Sequence, residues 1–402
     1  MLGSRDFRWY FLGQTTSGFG SSLSGVALAF AVLSLTRSAT LLGTVLLASR
    51  LPVIVLALAG GVLGDRFSRR LVMLGTDTGR TVLQGITAAL LLSGHAAVWS
   101  LALVQAGAGA GSALFSPAAN GLVPNLVAPE QLRRANSLLS MSSSLASIAA
   151  VGAAGAIVAL VGPGAAFTVD AGTFAASAVS LALVRSQSLE APPPSGRRLV
   201  AEVGEGWRAV RSRPWLLAYS LHVSLLNTLV LSPLFVLGPL VADQRLGGAG
   251  AWAGIAMSYA VGSLCGGAIV LRWHPERPML ATFAVSLALA PLPGLLAVPV
   301  ALWWLAPAAL LAGAETSVYN TLATTAQQAD VPDRLRSRTG AFVTVGALAG
   351  VPVGMGLAGV VAGALGTRSV LGFAAAWVVL SALGAAAVPA VRRLGSDGAL
   401  QP

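Results

Sequence analysis

The chain has 402 residues, of which 55% are hydrophobic and only 10% charged, and its formal net charge is +11. A soluble domain carries roughly a quarter charged residues, so an ordinary globular protein is excluded. Nucleic-acid binding is excluded by where the charge sits: all 25 basic residues are arginines, gathered in short clusters between apolar runs and not along one amphipathic face.

A helix needs about 20 apolar residues to cross roughly 30 Å of hydrocarbon. Runs of that length predict spans at 9–36, 39–62, 71–93, 98–123, 136–161, 164–184, 214–242, 250–271, 278–299, 301–326, 338–363 and 368–390. Arg5 and Arg8 imitate the start of a signal peptide, but the apolar run that follows exceeds a signal core and leads into no soluble domain, so it reads as a retained first span. The expected fold is an all-α membrane protein with twelve transmembrane helices in two pseudo-symmetric six-helix bundles. The expected domains are an N-terminal bundle at 1–184, a central cytoplasmic loop at 185–213 and a C-terminal bundle at 214–402.

In chain order, span one carries Gln14, Thr15, Thr16 and Ser17, which either line a substrate path or bond to neighbouring helices. Span two holds Arg50 near its middle. A guanidinium does not lose its proton, so Arg50 needs an acidic side chain, a carbonyl-lined niche or an anionic substrate group. In span three, Asp77 and Arg80 are three residues apart on one helix face, as a local pair or as an extension of the charged loop before them. Gly107, Gly109 and Gly111 in span four are packing residues and not a phosphate loop, because no strand precedes them and the chain has no lysine.

Asp170 in span six suits either helix packing or proton transfer. The connection at 185–213 contains Pro192, Pro193 and Pro194, which no helix interior accepts. After them, Leu199, Val203, Trp207 and Val210 recur at helical spacing, with Glu202, Glu205, Arg208 and Arg211 on other faces. That pattern fits a helix lying on the cytoplasmic membrane surface, or else a disordered basic linker. Span seven brings His222, Ser224, Asn227 and Thr228, again as path lining or interhelical bonds. Cys265 in span eight has no partner, which removes disulfides and thiolate metal sites. Glu315 stands near the middle of span ten among Gly313, Ala314, Thr316 and Ser317, where an intramembrane carboxyl marks function unless it is structurally paired. In span eleven, Gly350 to Gly354 enclose Pro352, a site for close contact and a kink.

The connections themselves divide by charge. Arg50 and Arg80 lie within spans, Arg37, Arg245 and Arg368 in one set of connections, and the other 20 arginines in the alternate set with both termini. Positive charge gathers on the cytoplasmic side, so both termini are expected there. The chain also repeats itself. Pro129, Glu130, Leu132 and Arg133 after span four recur as Pro332, Asp333, Leu335 and Arg336 after span ten, each shifted by 203 positions. With six spans in each copy, this is a parallel repeat about an axis along the membrane normal.

Between spans two and three stands Gly61-Val62-Leu63-Gly64-Asp65-Arg66-Phe67-Ser68-Arg69-Arg70. Glycine, leucine, Asp-Arg and a basic pair in this loop resemble the signature of the major facilitator superfamily, with Ser68 where glycine is common. The layout of the spans extends that resemblance over the whole chain. It implies that Asp65 latches onto the start of span eleven, where Arg336, Arg338 and the positive helix end are available, and that Gly61, Arg66, Arg69, Arg70, Asp77 and Arg80 belong to the same conformational network. It also implies that spans one, four, seven and ten surround a central cavity. Gln14, Arg50, Asp170, His222, Asn227 and above all Glu315 are then the candidates for proton coupling or substrate contact. A carboxyl that can be neutral in the bilayer and ionised where water reaches it suits a reversible proton carrier.

The Arg5-Asp6-Phe7 start, Phe115-Ser116-Pro117-Ala118-Ala119, the loop from Pro129 to Asn136 and the surroundings of Asp170 are similar to the exporter branch of macrolide-efflux and enterobactin-export proteins. Two features depart from many proton-driven drug exporters: Ala150-Val151 replaces Gly-Pro in span five, and no arginine stands near Gln105 in span four. The resemblance implies export of a lipophilic organic small molecule by alternating access, with proton antiport, no metal and no cofactor, by a monomer in the cell membrane. Uptake of an organic solute and a non-transporting sensor or scaffold are the alternatives. An enzyme is not expected, because His95, His222 and His274 sit in unrelated segments and no metal-ligand or nucleophile-base motif exists.

Overall fold

The computed structural model describes residues 4–64, 68–185 and 199–394, and all regular structure among them is helical. The Asp65-Arg66 pair of the charged loop and the proline run lie outside the described residues. Helices dominate because hydrocarbon offers no partner to backbone N–H and C=O groups, and a helix satisfies them internally.

The first six predicted spans are α1 (Arg5–Leu35), α2 (Ala39–Gly64), α3 (Arg69–Leu92), α4 (Val98–Leu122), α5 (Leu132–Leu160) and α6 (Pro163–Leu183). After α7 (Leu199–Arg211), span seven is α8 (Pro214–Leu226), a π-helical turn at Asn227–Leu231, α9 (Ser232–Val241) and a second π turn at Ala242–Leu246. Span eight is α10 (Ala249–Val270), and span nine is broken at Pro291 into α11 (Pro278–Ser286) and α12 (Pro291–Leu296). Then come α13 (Leu302–Asp330), α14 (Asp333–Leu365), α15 (Thr367–Ala387) and the short α16 (Pro389–Arg393). The sequence boundaries hold to within a few residues at most ends, and the chief differences are the π turns and the break, which hydropathy does not register.

Among the described residues, ten spans are long and apolar enough to cross a membrane by composition. The other two, α3 and α13, are long enough but more polar. They are the helices that carry Asp77 with Arg80 and Glu315 respectively. Large apolar side chains such as Leu103, Val179, Leu160, Leu271, Leu365 and Leu380 are exposed along the spans, as a lipid-facing surface requires. Trp99 at the start of α4, and Trp303 and Trp304 at the start of α13, are exposed like the aromatic belt of a membrane interface.

The described chain forms two compact units, Met1–Ser195 with Ala242–Ala253, and Gly196–Val241 with Gly254–Pro402. In the first, α6 packs on α1 and α3, α4 on α2 and α3, and α5 on α1. In the second, α15 packs on α8 and α11, α13 on α11, and α14 on α9, which repeats the first pattern helix for helix. Position-by-position correspondences support the repeat. Gly162 before α6 and Gly366 before α15 both have positive φ, +96° and +85°, so each supplies the left-handed turn that joins its two spans. Gly109 of α4 rests on the backbone of α2 at Ser49, and Gly313 of α13 rests on the backbone of α10 at Tyr259.

α7 is helical, as its spacing predicts, but part of its apolar face is covered by protein. Val210 joins the core of the second unit with Trp215, Tyr219 and Met279, and the Trp207 ring lies 5.3 Å from that of Phe342 on α14. Trp215 Nε1 donates to Asp330 Oδ2 at 2.9 Å, which ties the start of α8 to the end of α13.

Gly313→Ala would drive a Cβ into the Tyr259 carbonyl, where only backbone can yield. Overpacking of this kind costs about 1–3 kcal/mol, so the purified variant should unfold at a clearly lower temperature in detergent. Gly172→Ala, whose Cβ meets nothing within 4 Å on α6, should melt at or above the wild-type temperature. Equal melting of the two variants would show that the α10–α13 contact is not close.

Candidate functional site

Two polar constellations lie buried within the spans, one in each unit. In the first unit, α3 presents Asp77, Arg80, Gln84 and Thr87 on one face, and α6 presents Asp170, Thr173, Ser177 and Ser180. Both sets follow steps of three, four and three residues, the spacing that aligns side chains on one side of a helix. Because α3 and α6 run antiparallel against each other, the two stripes meet.

The pairing is specific. Ser177 Oγ donates to Asp77 Oδ2 at 2.6 Å, and Gln84 Nε2 donates to Asp170 Oδ2 at 2.9 Å. Gln105 of α4 donates to Gln84 Oε1 at 3.0 Å, and Thr173 Oγ1 stands 3.5 Å from Asp170 Oδ1. Arg80 lies between the acids. Its Nη1 is 3.5 Å from Asp77 Oδ1, and its guanidinium carbon sits 4.9 Å from the Phe115 ring centre and 5.1 Å from that of Phe174. Both aspartates are fully buried, and Arg80 is nearly so. Aromatic faces favour a desolvated cation, so the two rings help hold the guanidinium.

Span one closes over this network with small residues. Gly13, Ser17, Gly20 and Ser24 form a buried stripe on α1, and a Cβ at Gly20 would overlap Asp170 and Thr173. Ser24 faces the Asp170 carboxyl. Small residues let backbones approach closely in lipid, which is how α1 reaches the acid.

In the second unit, Glu315 on α13 is 4% exposed, and no arginine or histidine pairs with it among the described residues. The Thr316 hydroxyl lies 3.1 Å from Glu315 Oε2 and accepts from the Tyr259 hydroxyl of α10 at 2.8 Å. One turn further along α13, the Tyr319 ring approaches those of Tyr219 and His222, with centres 5.7 and 5.9 Å away. Phe283 meets His222 edge-on at 5.1 Å. The Tyr319 hydroxyl and both His222 ring nitrogens are buried without a well-formed hydrogen bond.

The remaining sequence candidates are spread over both units. Arg50 is exposed on α2 and makes no hydrogen bond or ion pair with another described residue. Gln14 is half-buried on α1 with its Nε2 unpartnered, while neighbouring Thr15 bonds to Ser142 of α5 at 3.1 Å. Asn227 Nδ2 donates to the Ala347 carbonyl of α14 at 3.0 Å, so it staples the π turn to its neighbour. Of the loop residues, Gly61 falls in the last turn of α2, while Arg69 donates to the Gly121 carbonyl and Arg70 Nε to the Leu181 carbonyl at 2.8 Å. Both arginines thus sit at the negative C-terminal ends of α4 and α6. Arg336 Nε donates to the Val331 carbonyl at 2.9 Å, and the backbone at Arg338 lies against Gly206 of α7.

Asp77, Arg80 and Asp170 form one network, which the sequence reading had kept as two separate features. Gln84, Gln105, Thr173 and Ser177 were not singled out, although the three-four-three polar spacing on α3 and α6 was available to find the residues on those two helices. Tyr259 carried no such signal, because its bond to Thr316 beside Glu315 depends on the close α10–α13 contact, whereas Tyr319, four residues along α13 from Glu315, was within reach of helical spacing.

The family profile described as Major Facilitator Superfamily matches residues 10–351. Macrolide efflux protein A of Streptococcus pyogenes is 26% identical over 277 residues, 68% of each chain. The multidrug efflux pump Tap of Mycolicibacterium fortuitum is 28% identical over 402 residues, 94% of each chain. Among solved structures, a bacterial homologue of the iron transporter ferroportin superposes with a TM-score of 0.75 at 17% identity, covering 98% of this chain and 99% of that one. A POT family transporter in complex with 5-aminolevulinic acid gives 0.74 at 12% identity, covering 99% and 97%. With the helices long and apolar enough to cross a membrane, the repeated bundle pattern and a family match over most of the chain, this protein belongs to the Major Facilitator Superfamily and is a multi-pass membrane transporter.

Proposed function

We propose that the protein is a secondary active exporter of a lipophilic organic small molecule, working by alternating access as a proton antiporter with no cofactor. Similarity to two efflux proteins, one of them over nearly the full length, supports export of a drug-like compound. The observation that carries proton coupling is Glu315, a buried carboxyl with no cation partner among the described residues. An unpaired carboxylate away from water is costly. It is relieved by a proton or by a cationic group on the substrate, and the two relieve it in exclusive turns, which is the logic of antiport. The Thr316 and Tyr259 hydroxyls orient the carboxyl, and Tyr319, Tyr219 and His222 supply aromatic surface beside it.

The arginine distribution supports an orientation with both termini cytoplasmic, and in this reading the chain works as a monomer in a cell membrane. Spans rich in alanine, leucine, valine and glycine suit a sizeable apolar compound better than a sugar, which needs many polar contacts. Asp65 and the start of α14 at Arg336 and Arg338 serve as the conformational latch.

Erythromycin should accumulate in inverted membrane vesicles when the lumen is acidified, and Glu315→Gln should abolish that accumulation while the protein remains folded. Undiminished accumulation in the variant would remove Glu315 from coupling. Asp65→Asn should lower turnover more than tenfold with little change in half-saturation. Should it change half-saturation alone, the latch assignment is wrong.

A further inference from the structure

The buried network of the first unit contains an imbalance: two carboxyls share one guanidinium. α3 and α6 run antiparallel, and Asp77 lies eight residues in from the start of α3 while Asp170 lies seven residues in from the start of α6. At 1.5 Å per residue, the acids sit about 10–12 Å from opposite ends and about 10 Å apart along the bundle. Two contacts give the same spacing, since Ser177 meets Asp77 seven residues from Asp170, and Gln84 meets Asp170 seven residues from Asp77. Arg80 falls midway, flanked by Phe115 and Phe174.

Among the described residues, nothing else charged faces the cluster. α4 has no charged residue and offers Gln105 and Phe115, while α1 contributes Gly20 and Ser24 and keeps Arg5, Asp6 and Arg8 in its first turn. Tyr10 of α1 bonds to the Ala119 carbonyl, α5 is charged only at Arg133 and Arg134, and Arg50 is on α2, which packs on α4 and α1. With both acids ionised the cluster would carry a net negative charge in a water-poor interior, which is unfavourable. One proton balances it.

The guanidinium is also loosely held. Its contact with Asp77 at 3.5 Å is longer than the roughly 2.7–2.9 Å of a charge-assisted hydrogen bond, and Arg80 Nε and Asp77 Oδ1 have no hydrogen-bond partner. Asp170 meanwhile is hydrogen-bonded among the described residues only by neutral groups, Gln84, Thr173 and Ser24, with Arg80 acting on it through charge and not through an ion-pair contact.

We propose that Asp77, Arg80 and Asp170 form a one-proton site inside the first unit, in which the proton and the guanidinium occupy opposite carboxyls and exchange places. In the arrangement observed, Arg80 pairs with Asp77 and the proton resides on Asp170. When Asp170 loses the proton, its carboxylate draws Arg80 away from Asp77, which takes up a proton in turn. Asp170 gives its proton to water and Asp77 takes one from water, so the cluster holds one proton before and after. The swap alters the contact of Asp170 with Gly20 and Ser24, so it reaches α1. The site is separate from Glu315 and adds a second proton position to the antiport reading.

Infrared spectroscopy of the purified, reconstituted protein tests this without any transport assay, so failure of the antiport reading leaves the result interpretable. At neutral pH the wild type should show the carbonyl stretch of a buried protonated carboxyl. The band should shift when the protein is made with aspartate bearing a heavy carbon isotope in its side-chain carboxyl, and should persist in Glu315→Gln. Because either acid alone suffices to balance Arg80, Asp77→Asn and Asp170→Asn should each abolish it. Retention in Asp77→Asn would mean that Asp170 holds its proton independently, and a wild-type spectrum without an isotope-sensitive band would mean that the site holds no proton. Either result overturns the proposal, and the isotope measurement needs no substituted protein to fold.

Discussion

Charge inside a bilayer must be neutralised by the protein that holds it. An arginine or aspartate at the centre of a spanning helix costs roughly 3 kcal/mol on insertion scales, and more on an isolated helix in simulation. The structure meets that constraint in two different ways. In the first unit, Arg80 stands against the two carboxyls of Asp77 and Asp170 and balances one of them behind two phenylalanine rings, with Gln84, Thr173 and Ser177 at the other carboxyl oxygens and Gln105 bonded to Gln84. In the second unit, Glu315 is buried with hydroxyls but without a cation among the described residues. The two halves share their helix pairing and differ in their chemistry.

The packing follows from the same constraint. Acids and amides can meet across helices only where backbones come close, and small residues provide that approach: Gly20 under Asp170, and Gly313 against Tyr259. The same contacts recur as the chain repeats, since Gly109 and Gly313 sit at matching places on α4 and α13. Duplication thus fixed the scaffold, while the polar side chains placed on it diverged. In the proposed cycle this divergence separates the roles of the halves, one holding a balanced proton switch and the other an unpaired carboxyl open to proton or substrate.

Much of the scaffold was legible in the sequence because a spanning helix announces itself by length and apolarity, and because a parallel repeat leaves Pro129 and Glu130 answering to Pro332 and Asp333. The π turns around α9 and the break at Pro291 were not legible, since they alter hydrogen bonding without altering hydropathy. The amphipathic spacing of α7 specified an apolar face but not that Phe342 and Trp215 would help to cover it. Glu315 stood out as a lone intramembrane acid. The joining of Asp77 to Asp170 did not, because two residues 93 positions apart meet only through the antiparallel pairing of α3 with α6.

Coupling of substrate movement to proton movement is the central claim, and simultaneous recording of both tests it most directly. The purified protein would be reconstituted into sealed liposomes with an acidic lumen and a trapped pH-sensitive dye, and erythromycin added outside. The account predicts that luminal pH rises in step with erythromycin uptake and stays constant when erythromycin is absent. Erythromycin uptake with no change in luminal pH would contradict it.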